Sequence, residues 1–155
     1  MTKVKCIIFI IIVLLNVSCT KKNEIISKIE EKDLELQVFE AYKEGLRSLE
    51  EGDVLFAAKK FNEAEILFPQ SEWAPRSSLM AAYSYYSQEY YIDSIAELKR
   101  FIKIYPKNKN LDYAYYMLGI VYYEQIVDEK KDLKSINNAK NTFKFVIKNF
   151  PNTNY

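Results

Sequence analysis

The chain has no histidine among its 155 residues. Imidazole titrates nearest neutral pH and is the commonest metal ligand, so acid–base catalysis or metal binding through it is excluded. Glycine and proline number only three and four. There is accordingly no glycine-rich phosphate loop, and no HExxH pattern or carboxylate pair with a forced geometry is present. Cysteine occurs twice, as Cys6 and Cys19, both close to the N-terminus. Net charge is small, at +1, which argues against general nucleic-acid binding. Aromatic residues are plentiful instead, with thirteen Tyr and nine Phe. Glu124, Asp128 and Glu129 cluster in sequence, and this cluster is read as solvated surface and not as a cation site. No cofactor is expected, and the chain is not read as an enzyme.

The N-terminus reads as a targeting segment. Lys3 and Lys5 precede a ten-residue apolar run, residues 6–15 (CIIFIIIVLL). A stable spanning helix needs about 20 such residues, so the run is too short to be one. It ends at Asn16-Val17-Ser18-Cys19. A small residue immediately before cysteine marks a bacterial lipoprotein signal, in which cleavage precedes Cys19 and Cys19 carries the lipid. Asn16 departs from the leucine usual at that position, and the alternative is an ordinary secretory signal with a cysteine nearby. Thr20 is not the aspartate of inner-membrane retention, which favours the outer membrane. Residues 1–18 are therefore assigned to the signal, and 19–35 to a lipidated N-terminus and a partly helical polar tether. With the signal removed, 20 basic and 21 acidic residues and no thiol remain.

From about Leu36 a helical period takes over and continues to the end. The predicted helices come in pairs, with aromatic-proline pairs Phe68-Pro69, Tyr105-Pro106 and Phe150-Pro151 closing each one. Gly52 suits a left-handed C-cap and Asp53 a following N-cap. Gly45, Ala82 and Gly119 are 37 residues apart, as are Pro69 and Pro106. Ala57, Ser94 and Ala139 hold the small position of each second helix, and Phe61, Leu98 and Phe143 follow four residues later. In the third pair the distance between small positions is 20 residues where it is 12 in the others. The eight inserted residues are expected in a surface loop around residues 127–133 (VDEKKDL). Such a pattern matches the tetratricopeptide repeat, a helix pair of about 34 residues. The expected fold is all-α: a right-handed α-solenoid of three tetratricopeptide-like hairpins over 36–155, with repeats at about 38–69, 75–106 and 112–151. An unrelated helical bundle is the alternative.

Repeat geometry turns the first helix of each pair inward. Phe39, Tyr42, Leu46 and Leu49, then Arg76, Leu79, Tyr83 and Tyr86, then Tyr113, Tyr116, Ile120 and Tyr123 are expected there. Tyrosine offers flat apolar area with a hydroxyl at its tip, and Arg76 can pair with a carboxylate. A peptide-binding groove is thus expected at Phe39, Tyr42, Arg76, Leu79, Tyr83, Tyr86, Tyr113, Tyr116 and Tyr123, with about half of its tyrosines packing between helices. Tyr85 and Tyr122 are assigned to the core.

The segments FPQSEWAPRSSLMAAYSYY (68–86), RFIKIYPKNKNLDYAYYMLGIVYY (100–123) and FVIKNFPNTNY (145–155) resemble the BamD family, the outer-membrane assembly lipoproteins of Gram-negative bacteria. The resemblance implies a non-catalytic subunit of the β-barrel assembly machinery, anchored by lipid at the periplasmic face of the outer membrane. It implies as partners the periplasmic domains of the barrel subunit BamA, smaller lipoproteins of the machine, and unfolded outer-membrane proteins whose aromatic-ended signal the N-terminal repeats would receive. Members carry about five repeats, whereas three are seen here, and residues 151–155 mirror residues 69–73 as if opening a fourth hairpin. The chain is therefore expected to be a truncated product or fragment, and the resemblance implies that much of the BamA contact belongs to the C-terminal repeats of family members. A second reading is another periplasmic repeat scaffold, such as a secretin pilot or a cell-division-linked adaptor.

Overall fold

The computed structural model describes residues 22–127 and 133–155, with side chains from residue 33 onward. Cys19, the signal segment, and Asp128 and Glu129 of the inserted loop lie outside the described residues. The chain divides into two compact units, Met1–Asp33 and Leu34–Tyr155. The described part of the first is helical; the second contains the repeats.

Six helices are described, and no strand is present among the described residues: α1 (Lys22–Glu50), α2 (Val54–Leu67), α3 (Trp73–Ser87), α4 (Tyr91–Ile104), α5 (Leu111–Glu124) and α6 (Leu133–Asn149). Helices α2 to α6 each pack on the next in sequence, and α1 meets α2 where Tyr42 and Phe61 rings pack 5.3 Å apart. The fold is thus the expected all-α solenoid of tetratricopeptide-like hairpins. One limit differs: α1 starts at Lys22 and not near Leu36. The stretch expected as tether contains neither Gly nor Pro and is rich in Lys, Glu and Ile, all compatible with a helix.

Repeated residues do repeated work. A Cβ on Gly45 would lie 2.8 Å from the Phe61 ring, and one on Gly119 would lie 2.6 Å from the Phe143 ring. The phenyl ring occupies the space that glycine leaves, so the two helices approach closely. In the middle hairpin the same pair is Ala82 and Leu98, both fully buried: a larger small residue faces a smaller large one. The Ser94 hydroxyl, at the position of Ala57 and Ala139, donates to the Ala82 carbonyl at 3.0 Å.

The turns repeat as well. Gly52 has φ +83°, and the Asp53 carboxylate accepts from the Phe56 amide at 3.1 Å, capping α2 as expected. Thirty-seven residues on, Glu89 holds φ +64° without being glycine. At the three joints the amides of Ser71, Asn108 and Thr153 donate to the carbonyls of Phe68, Tyr105 and Phe150 at 3.0, 3.0 and 3.1 Å. Proline follows each of those aromatics and cannot continue the helix. The third hairpin absorbs its insertion in two places. Eight residues link α5 to α6 where three link the other pairs, and Ala139 lies six residues into α6 where Ala57 and Ser94 lie three into theirs.

The core falls into two clusters. Val38, Ala41, Tyr42, Ala57, Ala58, Phe61, Ala64 and Ala81 form the first, with Tyr85 packed against it. Leu79, Ala82, Leu98, Phe101, Ala114, Met117, Leu118, Val121, Tyr122 and Ala139 form the second. Tyr122 is thus a core residue, as expected, and Tyr85 packs partly buried against the core.

Candidate functional site

A buried ion pair locks the first joint. Arg100 on α4 holds Glu65 on α2 through both guanidinium nitrogens, at 2.8 and 2.6 Å. It also donates to Glu97, Asn62 and Ser78 at 2.8, 3.2 and 3.2 Å. The Tyr105 hydroxyl donates to Glu65 at 2.7 Å. Glu65 is only 5% exposed, so its charge depends on these donors. Burial, with Glu65 accepting its proton, pushes the Tyr105 phenol above its ordinary range, and the bonds to Glu65 and Glu97 hold the Arg100 guanidinium firmly protonated. Nothing in the repeat pattern signalled this network, because it occurs once.

The expected groove residues separate into three groups. At the first joint the Trp73 ring packs against Phe39 at 5.6 Å and Tyr42 at 5.0 Å. The Arg76 guanidinium lies over both the Tyr42 and Trp73 rings, at 5.6 and 5.5 Å. Across α3 and α5, Tyr83 and Tyr86 pack 6.4 Å apart. The Tyr155 ring, itself exposed, rests against those of Tyr113 and Tyr116 at 5.2 and 5.3 Å. The phenols of Tyr86 and Tyr113 are raised above the ordinary range first by burial and then by neighbours: for Tyr86 these are Glu124, Tyr83 and Tyr116, and for Tyr113 they are Tyr155, Tyr83, Tyr86 and Tyr116. Tyr83, Tyr86, Tyr113, Tyr116 and Tyr155 therefore form one aromatic patch. Tyr123, 60% exposed, stands apart and lines a second cleft with Glu124, Ile126, Val127 and Ile136.

Two expected groove residues belong elsewhere. Tyr42 and Leu79 are each 6% exposed and sit in the two core clusters. Helical period placed them on the inward face, but Trp73 covers Tyr42, and Leu79 packs among the α4–α6 core residues. Phe39 and Tyr83 remain exposed, at 41% and 40%.

Trp73 and Tyr155 were missed as site residues. They lie four residues after Pro69 and Pro151, and each wedges against the preceding first helix. With Phe39 and Tyr42 shifted by 37 residues to Arg76 and Leu79, and again to Tyr113 and Tyr116, the corresponding middle wedge is Asn110. A cleft of about 730 Å³ lies there, lined by Glu72, Trp73, Pro75, Arg76, Lys107, Asn108, Lys109 and Asn110. No helix among the described residues is long and apolar enough to cross a membrane, and no group of His, Cys, Asp or Glu suited to a metal occurs among them.

The repeat arrangement has a counterpart among known proteins: residues 35–155 match the family model YfiO, described as outer membrane lipoprotein. The chain belongs to this family. Relatives of the YfiO-family chain bear the name outer membrane protein assembly factor BamD. The protein of Caulobacter vibrioides is 37% identical over 126 residues, covering 81% of this chain and 40% of the relative. That of Rickettsia prowazekii is 33% identical over 129 residues, covering 83% and 51%. That of Neisseria gonorrhoeae is 28% identical over 124 residues, covering 74% and 46%. The chain thus spans about half the length of the relatives it matches, or less.

Proposed function

We propose that this YfiO-family chain is a non-catalytic scaffold of the β-barrel assembly machinery, which helps to fold and insert outer-membrane barrel proteins. Residues 1–18 are its signal, acylated Cys19 anchors it at the periplasmic face of the outer membrane, and 19–35 carry the repeats of 36–155 away from the lipid. Its partners are the periplasmic domains of BamA, other lipoproteins of the machine, and unfolded outer-membrane proteins.

The observation that carries this reading is the tyrosine patch on α3 and α5 in a chain of this family. Five tyrosines gathered on one face offer wide apolar contact at low entropic cost, with the exposed Tyr83 and Tyr155 presenting hydroxyls to the backbone of an extended segment. Such a surface suits many related clients, because rings accept rings of any sequence in offset or edge-on geometry. Phe39, Arg76 and Trp73 extend the contact area toward the first joint, and Tyr123 toward the third turn.

Co-purification tests the reading. The full chain, tagged and expressed in a Gram-negative cell, is expected to fractionate with the outer membrane and to capture BamA. Cys19→Ala should release it from the membrane fraction. Capture of a secretin or a cell-division complex, with BamA absent from the eluate, would reject the assembly role in favour of another repeat scaffold.

A further inference from the structure

Each second helix stacks on the hairpin that follows it, and it does so through the same positions. At the first joint Glu65 and Asn62 of α2 are held by Arg100 at 2.6 and 3.2 Å, and Ala58 shares a core cluster with Ala81. At the second joint the equivalent residues of α4 are Ile102, Lys99 and Ile95. Both isoleucines pack on the core cluster that holds α5, and the Lys99 ammonium lies over the Tyr122 ring at 5.6 Å. Allowing for the insertion, the same positions in α6 are Ile147, Lys144 and Lys140. Ile147 is 73% exposed, and both lysines are exposed with no ion pair among the described residues. Helix α6 carries four lysines and no acidic residue. The receiving positions of the first joint, Ser78, Ala81, Glu97 and Arg100, correspond in the first hairpin to Ala41, Glu44, Lys60 and Glu63. These four line a hollow of about 210 Å³ together with Gln37, Glu40 and Leu67. Three carboxylates stand there against one ammonium, that of Lys60, which pairs with Glu44 and Glu63 at 3.0 Å each.

We propose that the open face of α6 docks in the hollow between α1 and α2 of a second copy of this chain, forming one more joint of the solenoid. Ile147 takes the place of Glu65 and enters beside Ala41. Lys144, in the place of Asn62, reaches Glu63, which stands where Arg100 does. Lys140, in the place of Ala58, reaches Glu44. Charge selects this occupant: a face with lysines and no carboxylate meets one with an excess of carboxylates. The terminal face of a solenoid that stays single is polar, whereas this one presents Ile147 and Leu133, the latter 60% exposed. The two faces differ, so the contact is head-to-tail and adds copies in a row without closing at two. The inference does not depend on the assembly role, because self-association and BamA capture are read separately.

Sedimentation velocity of the full chain over a concentration series tests the contact. The weight-average mass is expected to climb past that of a dimer and to fall back in high salt. Lys140→Glu/Lys144→Glu reverses one face. Glu40→Lys/Glu63→Lys reverses the other and leaves the Lys60–Glu44 pair in place. Each variant alone should associate about tenfold more weakly or worse, and an equimolar mixture of the two should associate again, because each reversed face then meets its opposite. Ile147→Asp should weaken association about tenfold as well. Melting followed by circular dichroism checks that the variants fold, and Lys140→Gln/Lys144→Gln, expected to weaken association in the same direction, replaces a reversed variant that melts early. A monomer at every concentration overturns the proposal and leaves the α6 face to another occupant. Association that is unchanged in both reversed variants overturns it too, and assigns self-association to another surface. A mass that stops at a dimer overturns the head-to-tail arrangement. Failure of the mixture to associate overturns the pairing of these two faces.

Discussion

Exchanging the glycine–phenylalanine pair of the first hairpin for the alanine–leucine pair of the second isolates the contact that repeats along the solenoid. In Gly45→Ala the new methyl lies 2.8 Å from Phe61 Cε1 and 2.9 Å from Cδ1, well inside the 3.5–4.0 Å at which carbon atoms attract. Phe61 is fully buried and held edge-on to Tyr42, so it has little room to yield. Overpacking of this kind costs about 1–3 kcal/mol, and removing glycine from a helix interior returns about 1 kcal/mol. The net loss is about 1 kcal/mol. Phe61→Leu alone leaves a gap over Gly45 and should cost about 1–2 kcal/mol. The double variant rebuilds the arrangement of Ala82 and Leu98, and should be at least about 1 kcal/mol more stable than the two single losses added together. Urea unfolding followed by circular dichroism, at constant m-value, measures all four chains. Additivity within about 0.4 kcal/mol would refute the idea that small and large positions compensate.

Three further outcomes follow from named groups. Arg100→Met leaves the Glu65 carboxylate buried with Tyr105 as its remaining strong donor, and should lower stability in urea by about 2–3 kcal/mol, whereas Arg100→Met with Glu65→Leu should recover most of that loss. Glu89→Gly relieves a left-handed backbone at the α3–α4 turn and should leave stability unchanged or raise it by up to about 1 kcal/mol, read as a higher melting temperature. Above about pH 10 the folded state keeps the Tyr105 proton that the unfolded state releases, because burial and Glu65 raise its pKa when folded. The native state then binds more protons, so stability falls as pH rises, and urea midpoints across alkaline pH should fall less steeply in Tyr105→Phe.

The helices and joints were legible in the sequence because spacing and punctuation agreed: 37-residue offsets, aromatic-proline stops, and Gly52-Asp53 at a turn. The start of α1 was not, since a charged stretch with few apolar residues says little about whether its backbone is helical. The inserted loop was foreseen, but its division between the α5–α6 link and the first turn of α6 was not. For the site, the period of each first helix is what gathers Tyr83 with Tyr86 and Tyr113 with Tyr116. It also placed Tyr42 and Leu79 there, and those are buried, because helical period cannot reveal what another segment lays over a residue. Trp73 and Tyr155 stand at equivalent positions, and their part in the site became visible only once their rings were seen against the preceding first helix. The Glu65–Arg100–Tyr105 network joins residues 35 and 40 apart, a spacing that matches no repeat.

The role of the tyrosine patch as a client surface is tested most directly by one binding measurement. A labelled peptide ending in an aromatic residue, taken from an outer-membrane barrel strand, is titrated with the full chain and with Tyr83→Ala/Tyr116→Ala, helicity being checked in both. An affinity loss of about tenfold or more, with helix content intact, is the predicted result. Equal affinity in the two folded chains would contradict it, and would assign both tyrosines to packing.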